Sequence, residues 1–133
     1  MTTIESKKVV VAAPAANVHD FLINTDNIQQ LLPEGKITEW KSDGKMCSFK
    51  IQGAYTIGLR LIGSTPNTSV VYESTEGSPF TFNLNVHINE TAGSSDAHLV
   101  CEANINPFLE MMVKGPLKNL FDYMADKLVT RVN

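Results

Sequence analysis

Residues 106–133 read NPFLEMMVKGPLKNLFDYMADKLVTRVN. Asn106-Pro107 supplies a cap residue followed by a proline, a helix-start signal. From there apolar residues recur on one stripe: Leu109, Val113, Leu117, Leu120, Phe121, Met124, Leu128 and Val132. That spacing predicts a long amphipathic helix over Asn106–Asn133 whose apolar face needs a broad partner. Six hairpin-linked strands upstream are the only candidate, so the expected architecture is one helix laid across an antiparallel sheet. Such a pairing encloses either a solid core or a pocket.

The 133 residues fit one domain, with 43% hydrophobic and 19% charged residues and a formal net charge of −3. This is a globular composition, and lysines and arginines are scattered singly. Without a basic stripe, nucleic acid is not an expected partner. The longest apolar run, Val9–Ala16, is too short to span a bilayer. The polar start, Met1–Lys8, lacks the apolar core of a signal peptide, so a cytoplasmic location is expected. Asn67-Thr68-Ser69 and Asn89-Glu90-Thr91 then lose meaning as glycosylation sites. Cys47 and Cys101 form no motif and read as thiols packed like small hydrophobes.

Lys7–Ala13 reads as a first strand, ended by Pro14, which opens a short helix to Leu22. A second short helix starts at Thr25 or Asp26, with Gln29 at capping-box spacing from Asp26, and Pro33 stops it. Between Ile37 and Ile105, turn signals at Asp43-Gly44, Gly53-Ala54, Pro66-Asn67, Gly77-Ser78-Pro79 and Gly93-Ser94 separate runs of alternating polarity.

Placing loops at those turns sets a register. A two-residue Asp43-Gly44 loop pairs Trp40 with Cys47 and Thr38 with Phe49. A loop at Gly53–Tyr55 pairs Ile51 with Ile57, Phe49 with Leu59 and Cys47 with Leu61. Pro66-Asn67 pairs Leu61 with Tyr72, Gly63 with Val70 and, on the other face, Arg60 with Glu73. Ala92-Gly93 pairs Val86 with Leu99, Leu84 with Cys101 and Phe82 with Ala103. The apolar side chains then share one face and the polar ones the other, as a half-solvated antiparallel sheet requires.

A strand, two short helices, six strands and a long helix make up the helix-grip plan. The segment Val9-Val10-Val11-Ala12-Ala13-Pro14-Ala15-Ala16-Asn17-Val18-His19-Asp20-Phe21-Leu22 closely resembles the opening of the SRPBCC superfamily. START lipid-transfer domains, polyketide cyclase-like proteins and the birch-pollen allergen family belong to that group. Val18, Phe21 and Leu22 fill its helix positions, and Asn27–Pro33 resembles its next helix and proline stop. The tail, with Phe108, Met111, Met112 and Pro116-Leu117, also looks like small bacterial members of the superfamily. The resemblance implies an α+β helix-grip fold (β-α-α-β6-α), with a seven-stranded curved antiparallel sheet packed on the C-terminal helix. It also implies a ligand, where there is one, between the concave sheet face and that helix. No catalytic motif carries over.

The function expected from these readings is non-catalytic binding of a hydrophobic small molecule or lipid. Trp40, Phe49, Leu59, Leu61, Tyr72, Ser74, Phe82 and Leu84 would line the sheet side. Met112, Leu117, Leu120, Phe121 and Met124 would line the helix side, with the Tyr72 hydroxyl, Trp40 indole N–H and Ser74 as polar anchors. The alternative for the same residues is a filled core. An enzyme of the polyketide cyclase or aromatase type and a closed-core interaction module, presenting Ile62 and Val71 outward, are the other readings. Gly115-Pro116 predicts a kink or break near Lys114–Pro116. Met111 and Met112 would then form either a flexible lid or gap filler on a helix that wraps the sheet. His87 and His98 face each other across the last hairpin without a third ligand, so no metal is expected. No cofactor is expected, and Glu76 is the one carboxylate with the parity of Tyr72 and Ser74.

Overall fold

The computed structural model describes residues 1–51 and 55–133. Its sheet follows the expected plan with one addition at the start of the chain. Strands β1 (Thr2–Glu5) and β2 (Val9–Val11) both run antiparallel to β8 (Ser94–Asn104). The polar Met1–Lys8 segment therefore joins the sheet. Its alternation is hidden in sequence because Thr2 and Ser6 share the inner face with Ile4, the single strongly apolar residue there. The register changes by one residue between the two strands, from Ile4 opposite Cys101 to Val9 opposite Ala97. Ser6 bridges the break: its N–H donates to the Leu99 carbonyl and its Oγ accepts the Leu99 N–H, both at 2.8 Å.

Helix α1 (Ala15–Leu22) buries Ala15, Val18 and Leu22. Pro14 has no side-chain cap to offer, and the Ala15 N–H donates instead to Glu90 Oε1 at 2.7 Å, reaching over from the sheet. The second short helix, Thr25–Leu31, is a 3₁₀ helix with Ile28 and Leu31 buried. Asn24, rather than Asp26, caps it by accepting the Asp26 N–H at 3.0 Å.

The remaining strands are β3 (Ile37–Ser42), β4 (Met46–Ile51), β5 (Thr56–Thr65), β6 (Ser69–Ser74) and β7 (Thr81–Thr91). The order across the sheet is β1–β8–β7–β6–β5–β4–β3, with β2 beside β1 on β8. The last hairpin has the expected register, including Leu84 opposite Cys101 and His87 opposite His98. The β5–β6 pair matches at Leu61–Tyr72 and Arg60–Glu73, the latter an ion pair at 3.1 Å. Beyond Leu61 a bulge shifts Gly63 from Val70 to Val71.

Two further registers differ from expectation. Asp43 Oδ1 accepts the N–H groups of Lys45 and Met46, both at 2.9 Å, which moves the turn one residue on and pairs Ser42 with Cys47. A bulge between Thr38 and Lys41, with Glu39 at φ 54°, carries Trp40 out of its predicted pairing with Cys47. On the β4–β5 pair, Phe49 meets Ile57 and Cys47 meets Leu59, two residues from the expected partners. A slip of two preserves side-chain parity, so the inward face survives. The loop expected at Gly53–Tyr55 falls largely on 52–54, outside the described residues.

Helix α2 (Pro107–Arg131) completes the fold, with Asn106 Oδ1 accepting the Leu109 N–H at 2.8 Å. It runs without a break through Gly115-Pro116. Of the expected kink or break, the break is absent: Lys114, Gly115 and Pro116 all face solvent, where the helix can lose one backbone bond without burying an unpaired group. Val113, Leu117, Leu120, Phe121, Met124, Ala125 and Leu128 make the buried stripe.

Candidate functional site

The space between the inner sheet face and α2 holds most of the residues singled out in the sequence. Phe49, Leu59, Phe82 and Leu84 from the sheet meet Leu117, Leu120, Phe121 and Met124 from α2, with Ile57, Phe80 and Cys101 completing the wall. The space left among these buried side chains measures about 10 Å³. That is room for roughly one water, and a site walled entirely by carbon and sulfur stays dry. In this conformation the grip is closed.

Five of the expected lining residues lie elsewhere, each for a local reason. Tyr72 is fully buried, but its hydroxyl donates to the Leu22 carbonyl at 2.5 Å and so holds the end of α1 to the sheet. Burial pushes its phenol well above the ordinary range. Ser74 Oγ is occupied by the Phe82 N–H at 3.1 Å and borders a separate surface cleft. Trp40, displaced by the Glu39 bulge, stacks on Phe49 at 6.2 Å between ring centres and borders another. Leu61 is half-buried at the point where the β5 bulge ends the inward run. Met112 is 60% exposed and Met111 86%, because the helical turn that buries Val113 points both methionines to solvent. Glu76 is likewise exposed, on the loop before β7.

Phe80, like Ile4, is a core residue that sequence reading missed. It follows the Gly77-Ser78-Pro79 turn, so the turn signal masked it; the Phe80-x-Phe82 spacing was the available clue. The two rings pack at 5.7 Å with a 55° tilt.

A larger space lies directly outside the closed cavity. Pro33, Lys36, Ile37, Ile51, Pro116, Asn119, Leu120 and Tyr123 line an open cleft of about 440 Å³ between α2 and the β3–β4 end of the sheet. Leu120 lines both spaces, so its side chain stands where cleft and interior meet. Tyr123, half-buried here, carries the Lys127 Nζ 5.5 Å from its ring centre, a cation–π contact.

The remaining reactive groups do not converge. Burial first, then the Glu102 charge, pushes the Cys101 thiol up to about 12. Cys47 is also raised to about 12, by burial and then by Asp26 and Asp43. His87 and His98 stack at 5.1 Å on the outer face. Among the described residues no three His, Cys, Asp or Glu side chains cluster as a metal site would need. None of the described helices is long and apolar enough to cross a membrane.

No protein-family profile matches the chain, and no curated protein is similar to it in sequence. Solved structures are similar in fold. A START superfamily protein from Mycobacterium smegmatis aligns with TM-score 0.74 at 15% identity, covering 98% of this chain and 96% of its own. The Zhui aromatase/cyclase from Streptomyces sp. R1128 aligns at 0.73 and 14% identity, covering 98% and 92%. Norcoclaurine synthase from Thalictrum flavum, solved with dopamine and hydroxybenzaldehyde, aligns at 0.73 and 18% identity, covering 98% and 85%. With its curved antiparallel sheet and long C-terminal helix, the chain has the helix-grip fold and is similar in it to these structures.

Proposed function

We propose that this protein binds a hydrophobic small molecule or lipid between the sheet and α2, without chemistry of its own. The carrying observation is the position of Leu120, one side chain shared by an all-apolar interior and an open cleft of about 440 Å³. That volume lies within the usual range for small-molecule sites. The closed interior of about 10 Å³ means that a ligand displaces Leu120 and its neighbours as it enters. Burial of its apolar surface, at about 25 cal/mol per Å², drives the exchange. The interior walls offer aliphatic, aromatic and sulfur surface, which suits retention of an apolar molecule better than proton transfer.

The small interior volume also favours a second reading, a closed-core module that acts through its exterior. There the exposed Ile62 and the half-buried Val71 would contribute apolar surface.

Native mass spectrometry of protein purified without organic solvent separates the two. The binding reading expects an adduct of a few hundred daltons that is lost on denaturation. A bare mass, together with no retention from a panel of apolar compounds, would exclude it.

A further inference from the structure

The cleft over Leu120 differs from its neighbours in charge. The cleft around Met1 and Ser74 contains Glu73 and Glu102, and the one beneath Trp40 contains Glu34 and Glu39. The cleft beside Cys47 mixes Lys41 with Asp43. The described lining of the Leu120 cleft has Lys36 as its ionisable side chain of either charge besides the Tyr123 phenol, with no carboxylate. Lys127, over the Tyr123 ring, adds a second cation at its border. No ion pair engages Lys36 among the described residues. Asn119 contributes an amide that can donate. The rest of the lining is apolar: Pro33, Ile37, Ile51, Pro116 and Leu120.

We infer that this cleft selects an amphipathic carboxylic acid. The carboxylate lies against Lys36, with Asn119 and the Tyr123 hydroxyl as neutral donors, and the tail runs along Ile37 and Ile51 toward Leu120. This deepens the binding reading above and rests on it. Glu34 and Glu39 border the adjoining cleft, on the side where Trp40 sits, and reinforce the direction of the ligand by repelling its acid group from that neighbour. A cation at a solvent-open rim contributes modestly, so the acid is preferred over a neutral analogue by a small factor, with apolar burial providing most of the affinity.

The test compares dodecanoic acid with dodecan-1-ol by isothermal titration calorimetry below their aggregation limits, at low salt. The acid is expected to bind about fivefold more tightly, near the upper limit for a solvent-screened ion pair. Added salt should reduce that preference. In Lys36→Met the two ligands should bind equally, and in Lys36→Arg the preference should return. Lys36 is exposed, so these variants should keep the wild-type melting temperature. Folded Leu120→Ala should bind dodecanoic acid several-fold more tightly, because cleft and interior then join. An alcohol that binds as well as the acid, or a preference that survives in Lys36→Met, overturns the inference while leaving hydrophobic binding intact. Failure of both ligands to bind overturns the inference, and together with a bare native mass and no retention from the apolar panel it overturns the binding reading as well.

Discussion

Tyr72 illustrates how much a single hydroxyl decides here. As an inward-facing residue among apolar neighbours it has the profile of a ligand anchor, yet its O–H is committed to the Leu22 carbonyl at the end of α1. Tyr72→Phe keeps the ring and strands that buried carbonyl, so the expected cost is about 1–3 kcal/mol in urea denaturation. Affinity for an apolar ligand should be unchanged, and a large affinity loss without destabilisation would restore Tyr72 to the site. Gly58 is a second such position. A Cβ there would stand 1.7 Å from Thr75 Oγ1 and 3.0 Å from Thr75 Cβ. The loop after β6 is laid on this strand, with the Thr75 N–H donating to the Gly58 carbonyl at 3.2 Å and the Gly58 N–H donating to Ser78 Oγ at 3.1 Å. Gly58→Ala must push Thr75, and the loop it opens, away from β5. Overpacking of this kind costs about 1–3 kcal/mol. A melting temperature equal to wild type would mean that Thr75 yields freely.

Among the elements, the hairpins show what sequence can and cannot specify. The β7–β8 register was legible because Ala92 and Gly93, at φ 52° and 86°, make a two-residue turn whose geometry leaves no slack. The β3–β4 register was not, because Asp43 recruits two backbone N–H groups and lengthens the turn, and because the bulge at Glu39 carries no obligatory residue. The inner and outer faces were legible on β4, β6, β7 and β8 but not along β3, where Thr38, expected opposite Phe49, lies exposed opposite the outward Lys50. Even the β4–β5 error was a slip of two, which exchanges partners along a face without turning any side chain over. Capping of α1 by Glu90 was beyond reach, since donor and acceptor lie 75 residues apart. The β7–β8 hairpin also carries a pH dependence. Burial first, then His87 and Lys8, lower the His98 pKa below its ordinary 6.5, with Glu5 opposing them. The fold thus favours neutral His98, and that stability is present in full above pH 6.5 and is lost as pH falls through the lower folded value. His98→Gln should flatten the stability profile between about pH 6.5 and 5, a range set by an ordinary imidazole. An unchanged slope would assign the loss to other groups.

At the scale of the molecule, α2 is tied down on one side and open on the other. On the tied side the Lys7 N–H donates to Asp122 Oδ1 at 2.7 Å, Lys118 Nζ reaches the same carboxylate at 3.1 Å, and Lys7 Nζ pairs with Asp126 at 2.7 Å. The two Lys7 contacts fasten the middle of α2 to the break between β1 and β2, and Lys118 supports the Asp122 carboxylate from within the helix. On the other side Pro116, Asn119, Leu120 and Tyr123 face the cleft. Any opening of the grip should therefore swing about the Asp122 side, which makes that carboxylate a test of how the helix is held. Burial raises the Asp122 pKa, but the Lys7 N–H and Lys118 outweigh it and hold the group below its ordinary 3.8. A depressed carboxylate pKa stabilises the fold above the unfolded value, and that contribution disappears as pH falls through the folded value. Asp122→Asn keeps the shape, removes the charge and exchanges one acceptor oxygen for a donor NH2. Wild type should exceed the variant in stability by a constant margin above about pH 5, and the margin should close below about pH 4, where ordinary carboxylates protonate. Urea denaturation across that range measures it. A margin that persists undiminished at about pH 2 would mean that the amide's altered hydrogen bonding to the Lys7 backbone, and not the charge, fastens α2 to the sheet.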